Sequence, residues 1–511
     1  MTAAFTNGIS REALCHYLSR AVTADNIISS DTQADDIRML VELGVRFVGR
    51  AAYVWKPESD DEEHFRKARL FADVMHQRAP DTILQACVFE AVYPGVDKIA
   101  VPAWVFTEFG LPVEARCFRF ADMVSPEFSA AHSWMNAGKV PDITWREVQM
   151  WFYYRARRYI DAGYEALHLG QVHLIGGRDS GYREFAKMVD RIRCYAGQAA
   201  RRRWVLLDAH THGIALGERL LFDFHSRPIS VRPVMEQPQR LVLVWKGRSE
   251  GGITPSGWRC ASLPCLFEVD NWGGISVIPP EMLDSANHLP AGRWGYDDIA
   301  WFAHQSQMAR DHFLEYAHRW YRVRSDGAFF QPPVRRTLGR ATVRSAAGRE
   351  LQYYHANRPS PACPNGFGQE DTIRRLWSEA DPVVLGARHR QRVASVVAYA
   401  AVAGTGQRPP PFATLVGDIQ TILGGVPGDT VCPHSRLDYV GDGYYELVTV
   451  MPWRGRYECS VSMAGTMTEV YRATGLAAGP SFVVDIFRDN LILKLVFNYQ
   501  TKQLEAKEED P

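Results

Sequence analysis

Ionisable side chains lie at or near the ends of several apolar runs in this chain. Glu90, Asp208 and Glu268 are the carboxylates placed in this way. A bare buried carboxylate is costly, so each must be paired, hydrated or functional; neutralisation of Glu90 by Arg50 is one structural alternative. Polar and aromatic residues at or near the ends of such runs are candidate substrate-binding residues: Arg50, Trp55, Gln171, His173, His210, His212, Asp223, His225, Asp270, Trp272, Asp297 and His304.

Two carboxylates across a cleft can cleave a glycosidic bond. One is protonated and protects the leaving oxygen, while the other is ionised and stabilises or captures the oxocarbenium ion. We expect Glu268 to be the nucleophile or base, because it ends a late apolar run beside Trp272, on which a sugar could stack. Asp208 is the preferred partner, and Glu90 is the other candidate.

The segment Asp208-Ala-His210-Thr-His212 supports a second hypothesis. Side chains alternate along a strand, so both imidazoles would project from one face, where they could hold a metal. The segment resembles the motif that ends the first strand of metal-dependent hydrolase barrels, although here it lies midway along the predicted barrel. We expect no cofactor and no metal, with a metal at His210 and His212 as the alternative.

Helical and strand patterns alternate over most of the first 330 residues. Nearly continuous apolar strands suit a parallel sheet covered on both faces, and no Gly-rich phosphate turn follows any of them. The sequence therefore predicts an α/β fold with a (β/α)8 TIM-type barrel, and an open parallel sheet is the alternative. Predicted helices cover 31–43, 61–77, 144–162, 182–202 and 296–322, and predicted strands cover 46–55, 82–92, 165–175, 203–212, 220–225, 241–245 and 265–271.

The composition pattern divides the chain into five parts. A barrel is expected to hold its site at the carboxyl ends of its strands. Toward the C-terminus the sequence pattern changes to that of short alternating strands. The expected parts are an N-terminal extension at 1–21, the barrel at 22–335, a connector with a hairpin and two helices (370–380 and 387–403) at 336–437, a small antiparallel β-rich unit at 438–500, and a disordered charged tail at 501–511.

In this layout the chain resembles barrel glycoside hydrolases at the superfamily level. The shared features are the barrel, strand-end acids that include Glu268 late in it, and a small β-rich C-terminal unit. The resemblance implies an enzyme that cleaves or rearranges a carbohydrate or glycoside. In the best-known clan an Asn-Glu pair ends the fourth strand, whereas Gly170-Gln171-Val172-His173 stands here. The resemblance therefore does not imply a retaining mechanism of that clan's type, and a non-catalytic carbohydrate-binding barrel is a further alternative.

Charge and cysteine content limit the expected partners and location. Lys and Arg number 58 and Asp and Glu number 58, so no uniform field attracts nucleic acid or anionic lipid. The start of the chain lacks the pattern of a secretory signal, and the nine cysteines include no CxxC pair. We therefore expect a cytoplasmic protein that binds a small molecule or oligosaccharide, with no nucleic-acid or membrane partner; the oligomeric state stays open.

Overall fold

The structure is a computed structural model that describes most of the chain. Trp272, the predicted helix at 387–403 and the predicted turn at Ala347-Gly348 lie wholly or partly outside the described residues. The described residues are 5, 8–57, 61–124, 133–134, 138–234, 237–271, 297–325, 327–339, 342–344, 348–378, 410–475 and 477–509.

Parallel strands alternate with helices over the first two thirds of the chain, which confirms the α/β class. The parallel strands are β1 (Ala21–Ala24), β2 (Phe47–Ala52), β3 (Ile83–Cys87), β4 (Ala166–His168), β5 (Leu206–Asp208), β6 (His225–Pro228), β7 (Cys265–Glu268), β8 (Ala328–Gln331) and β9 (Pro333–Thr337). The four residues of β1 are too few to give a clear sequence pattern, and this strand was not predicted.

Parallel pairing connects these strands in chain order. β1 to β5 pair in series, as do β6 to β8. Between β5 and β6 there is one parallel bridge, His210 to Ser226, and the Ser226 amide donates to the Ala209 carbonyl at 3.2 Å. β8 continues through Pro332 into β9, which pairs with β1. Strand pairing, the single bridge between β5 and β6 and the chain connection from β8 to β9 together lead from β1 along the series and back to β1.

The described helices lie before the first parallel strand, in the connections between the parallel strands, and in the C-terminal part of the chain. They are α1 (Arg11–Leu18), α2 (Gln33–Leu43), α3 (Asp61–Arg78), α4 (Ala103–Glu108), α5 (Arg146–Asp161), α6 (Val172–Ile175), α7 (Arg183–Ala199), α8 (Asp298–His304), α9 (Gln307–Arg324), α10 (Glu370–Ser378) and α11 (Ile419–Leu423). None of the described helices combines the length and apolar character needed to cross a bilayer.

Two predicted elements differ from the structure for local reasons. The single helix predicted at 296–322 is two helices, because Ser306 starts a new one by accepting a hydrogen bond from the Ala309 amide at 3.2 Å. The strand predicted at 165–175 ends at His168, since Gly170 takes a left-handed conformation with φ 65° and the chain then enters α6.

Small antiparallel strands, rather than a helix, fill the connections between β5 and β7. They are Ala215–Leu216, Arg219–Leu220, Val231–Val234, Gln237–Leu243, Gly252–Ile253 and Arg259–Cys260. Strand pairs elsewhere lie at Ser133–Trp134 with Gly138–Lys139 and at Val343–Arg344 with Glu350–Leu351. β10 (Tyr353–His355) pairs antiparallel with β9. A strand was predicted at 220–225, but most of these residues lie in a turn. Another strand was predicted at 241–245, and it corresponds to the end of the longer strand Gln237–Leu243.

The inward face of the parallel strands changes from apolar to polar along their length. The first layer belongs to one buried cluster with α1 and consists of Ala21, Phe47, Ile83, Ala166, Leu206, Phe224, Leu266 and Phe329. Two residues later, on the same face of each strand, lie Thr23, Gly49, Gln85, His168, Asp208, Ser226, Glu268 and Gln331. The carboxyl ends of the strands therefore carry the polar chemistry.

The C-terminal sheet is larger than predicted at both ends. Its strands are β11 (Phe412–Val416), β12 (Arg436–Gly441), β13 (Tyr444–Met451), β14 (Gly455–Met463), β15 (Val470–Tyr471), β16 (Phe482–Ile486), β17 (Leu491–Asn498) and β18 (Gln503–Glu508). The boundary predicted at 438 misses β11 and the first two residues of β12, Arg436 and Leu437. The tail at 501–511 is not disordered throughout, because β18 pairs with β17 and its exposed charges suit an edge strand.

Candidate active site

Four of the predicted site residues meet at the carboxyl ends of β2, β5 and β7. Arg50 Nη2 donates to Glu268 Oε1 and lies 3.1 Å from Asp270 Oδ2 and 3.2 Å from His210 Nε2. His210 Nε2 lies 2.9 Å from the same Glu268 oxygen. Glu268 is 2% exposed. Arg50 thus pairs with Glu268 and Asp270, and not with Glu90.

Arg336 and Asp25 complete this cluster, and neither was identified from the sequence. Arg336 Nη1 lies 3.0 Å from Asp25 Oδ1 and 3.5 Å from Glu268 Oε2, while its Nη2 donates to Asp270. The Thr337 amide holds the other oxygen of Asp25 at 3.2 Å. We call these six residues the ionic cluster: Asp25, Arg50, His210, Glu268, Asp270 and Arg336.

The charges of the ionic cluster set the protonation of its members. Burial opposes ionisation of Glu268, but Arg50 and the hydrogen bond from His210 outweigh burial and lower the pKa of Glu268 to about 2. The pKa of Asp270 is lowered too, because Arg50 and Arg336 outweigh its burial. Burial lowers the pKa of His210, but the hydrogen bond to Glu268 prevails and the net shift is upward. Burial raises the pKa of Asp25 despite Arg336.

The backbone conformation at Arg50 directs its guanidinium toward the ionic cluster. Arg50 has φ 55°, a left-handed conformation that is costly for a residue with a Cβ, and its amide donates to Gln85 Oε1 at 3.1 Å. At the preceding Gly49, a Cβ would lie 2.3 Å from Gln331 Nε2. That amide nitrogen donates to the Val22 carbonyl at 2.9 Å. Only glycine leaves room for it at this position.

Asp208 lies in a second buried network beside the ionic cluster. Its Oδ1 accepts from Gln85 Nε2 at 2.6 Å, and its Oδ2 accepts from Ser226 Oγ at 2.5 Å and from His168 Nδ1 at 2.9 Å. The other ring nitrogen of His168, Nε2, is buried and has no hydrogen-bond partner among the described residues. The His168 and His210 rings lie 4.6 Å apart, edge to face.

Trp55 belongs to an aromatic group on the same side. Its ring lies 5.2 Å from that of Phe89, which in turn meets His168 at 5.8 Å. The Arg50 guanidinium lies over Phe89 at 5.7 Å. Trp55 is half-buried and therefore offers part of its ring to solvent.

Glu90 and Gln171 pair with each other and not with Glu268. The Gln171 amide and side chain donate to Glu90 at 3.1 and 2.7 Å. Gly170 makes this approach possible, since a Cβ there would lie 2.1 Å from Glu90 Oε2. Within the described part of the chain, Glu90 forms no hydrogen bond or ion pair with the ionic cluster.

Four further candidates lie away from the ionic cluster. Asp223 pairs with Arg193 at 2.9 Å, and His173 bonds Tyr182 and Thr211. His212 accepts from Arg227 at 2.6 Å. His225 is buried on the outer face of β6, where burial lowers its pKa to about 3. The structure therefore places Asp223, His173, His212 and His225 outside the ionic cluster.

Asp297 and His304 lie at the two ends of α8. Asp297 is its N-cap, accepting from the Ala300 amide at 2.8 Å and from Asn271 Nδ2 at 2.8 Å. Burial raises the pKa of Asp297 to about 6. His304 is exposed and its Nδ1 donates to the Ala300 carbonyl at 2.7 Å. Asn271 adjoins Asp270, so Asp297 lies near the ionic cluster.

The alternative metal site at His210 and His212, in the segment that begins at Asp208, is not brought together. Asp208 bonds His168 and His212 bonds Arg227, as described above. In the described residues a different group, His210, Glu268 and Asp270, brings its ligand atoms within 4.8 Å of one another. The Arg50 guanidinium contacts all three of these side chains, so a cation already neutralises this position.

Comparison with known proteins gives similarity at the level of structure alone. No protein-family model and no curated protein matches the chain. The glycoside hydrolase domain of PelA from Pseudomonas aeruginosa is 13% identical, with a TM-score of 0.23, over 49% of this chain and 83% of that chain. The native debranching enzyme of Nostoc punctiforme is 12% identical, with a TM-score of 0.34, over 88% of each chain. An isomalto-dextranase of Arthrobacter globiformis is 9% identical, with a TM-score of 0.34, over all of this chain and 75% of that chain.

Proposed function

We propose that the protein is a (β/α)8-barrel hydrolase that cleaves glycosidic bonds, with Glu268 as the ionised carboxylate of its site. The observation that carries this proposal is the ionic cluster, whose members come from the carboxyl ends of β1, β2, β5, β7 and β9. The parallel pairing from β1 back to β1 supports a closed barrel, and in barrels of this type the strand ends form the active site.

Glu268 suits the role of the anion in this reaction. Its low pKa keeps it ionised at neutral pH, where it would stabilise or capture an oxocarbenium ion. Arg50 and His210 hold one of its oxygens, which fixes the direction of the carboxylate. The half-buried Trp55 beside Phe89 would give the sugar a ring to stack on.

The proton donor must be a group whose pKa lies well above that of Glu268, so that it can hold a proton while Glu268 is ionised. Asp297 fits best, because its pKa of about 6 differs strongly from that of Glu268, and such a separation assigns acid and base roles. Asp208, our sequence-based partner, bonds three neighbours and would act through His168. Glu90 is occupied by Gln171 and is the weakest of the three candidates.

A non-catalytic carbohydrate-binding barrel is the second candidate function. It is favoured by the ion pairs of Glu268 and Asp270 with Arg50 and Arg336, because carboxylates held in such pairs need no further role. The two candidates share the same site and differ only in whether a bond is broken there.

Hydrolysis of a defined glycan panel separates the two functions. Purified protein is incubated with α- and β-linked oligosaccharides and nitrophenyl glycosides, and product formation is followed together with binding by calorimetry. We expect hydrolysis of at least one substrate, with loss of rate in Asp297→Asn and with the basic limb that wild type shows near pH 6 absent from the residual rate of that variant. Binding without any hydrolysis would support the carbohydrate-binding protein instead.

A further inference from the structure

Arg227 is a buried cation on the outer face of the parallel strands. It follows Ser226 in β6, and because side chains alternate, Ser226 points inward to Asp208 while Arg227 points outward. Arg227 is 6% exposed. It contacts the connection between β6 and β7 at Gly247.

The hydrogen-bond partners that the described residues offer Arg227 are all neutral. Its Nε donates to Cys265 Sγ at 3.3 Å, its Nη1 to His212 Nδ1 at 2.6 Å and its Nη2 to the Gly247 carbonyl at 3.2 Å. The guanidinium lies 4.9 Å from the centre of the Phe267 ring. No described carboxylate comes within ion-pair distance of it. A buried guanidinium without a counter-charge is costly, so an anion at this place would be strongly favoured.

A small cavity adjoins this cation and offers further donors. Arg227, Arg248, Ser249 and Ser262 contribute to its wall, and its free space is about that of one water molecule. Ser249 is 5% exposed, and its hydroxyl, next to the Cys265 thiol, has no hydrogen-bond partner of normal geometry among the described residues. A guanidinium has five N–H groups, and Arg227 uses three of them on its neutral partners.

We propose that this cavity binds a small inorganic anion of about the size of chloride. Arg227 supplies the charge and its two remaining N–H groups, the Ser249 hydroxyl donates a hydrogen bond, and Arg248 adds positive charge from the exposed side. The cavity is too small for a sugar, and the site is separate from the inward-facing ionic cluster. The proposal therefore stands independently of the glycosidase function.

Chloride-dependent thermal stability tests this site. The protein is dialysed into sodium gluconate, and its melting temperature is measured as chloride replaces gluconate at constant ionic strength. An anion that binds only the folded state stabilises it by mass action, so we expect a rise of roughly 1–3 °C per tenfold increase in chloride above the dissociation constant. Ser249→Ala should weaken the response, and Arg227→Met should abolish it.

The matched control is Arg259→Met, since Arg259 is exposed, lies in the same connection and, among the described residues, forms its ion pair with the exposed Glu218. This variant should respond to chloride as the wild type does. If Arg227→Met does not fold, the chloride response of Ser249→Ala and a bromide-soaked crystal of the wild type test the proposal instead. In that crystal an anomalous peak should lie within hydrogen-bond distance of Arg227 and Ser249. The proposal would be overturned if wild type and Ser249→Ala respond equally to chloride and the crystal shows no such peak. It would also be overturned if wild type does not respond to chloride, or responds to phosphate alone.

Discussion

His210 Nε2 lies 2.9 Å from Glu268 Oε1, an oxygen that also accepts from Arg50. The imidazolium form of His210 is favoured by this contact, and the carboxylate form of Glu268 is favoured in return. The pair therefore links the pH dependence of folding to the site itself.

The first prediction concerns this pair. The folded-state pKa of His210 is raised above 6.5, so its contribution to stability is complete below 6.5 and is lost as pH rises through the folded pKa. The difference in unfolding free energy between wild type and His210→Gln, measured by urea denaturation, should thus shrink as pH rises above about 6.5. In a Glu268→Gln background, burial and Arg50 lower the pKa of His210, so this difference should no longer shrink as pH rises above about 6.5. A difference that stays constant from pH 5.5 to 9 would contradict the assignment.

The second prediction concerns Gly49. A Cβ there would meet Gln331 Nε2 and break its hydrogen bond to Val22, so Gly49→Ala should lower the free energy of unfolding by about 1–3 kcal/mol. Gly197→Ala is the control, because Gly197 lies in α7 with open space around its Cβ position and alanine favours a helix. Equal melting temperatures for the two variants would show that the Gln331 contact is absent.

The third prediction separates the inward-facing Asp208 from the outward-facing Asp223. Asp208→Asn removes the charged acceptor that orients His168, so turnover should fall at least tenfold on a cleavable substrate. Asp223→Asn weakens the pair with Arg193 and should lower the melting temperature while turnover of the folded enzyme is kept. Normal turnover in Asp208→Asn would remove the His168–Asp208 pair from the mechanism.

The fourth prediction concerns the attachment of the C-terminal sheet. The sheet packs on α9, where His312 donates to the Pro452 carbonyl at 2.9 Å and stacks on Trp453 at 4.1 Å between ring centres. Trp453→Ala should therefore cost about 1–3 kcal/mol of stability. Phe487→Ala is the control, because Phe487 is 86% exposed, and it should change stability by less than about 0.5 kcal/mol. A soluble, fully active chain truncated before residue 412 would contradict a structural role for the sheet.

The sequence allowed part of the site to be predicted. Arg50, His210, Glu268 and Asp270 were found because an ionisable group after an apolar run marks a strand end. Asp25 was missed because the four-residue run before it is too short to stand out, and Arg336 because the predicted barrel boundary fell at the residue before it.

Other features depend on contacts that no local pattern encodes. The pairing of Arg50 with Glu268 joins distant strands and requires the left-handed backbone at Arg50, which a non-glycine residue does not signal. His225 follows an apolar run as Glu268 does, yet it faces outward, because strand register decides the face and register is set by the neighbouring strands. The polar layer on the inward face depends on the registers of all the parallel strands together, so the pattern of a single strand does not predict it.

Turnover by Glu268→Gln, compared with wild type and with Glu90→Gln, tests the central claim most directly. Because Glu268 is buried in ion pairs, its replacement should lower the melting temperature, so rates are measured on folded protein well below that temperature. On a glycoside that the wild type cleaves, we predict that kcat falls by about 1000-fold or more in Glu268→Gln and changes less than about threefold in Glu90→Gln. Wild-type kcat in folded Glu268→Gln would contradict the account.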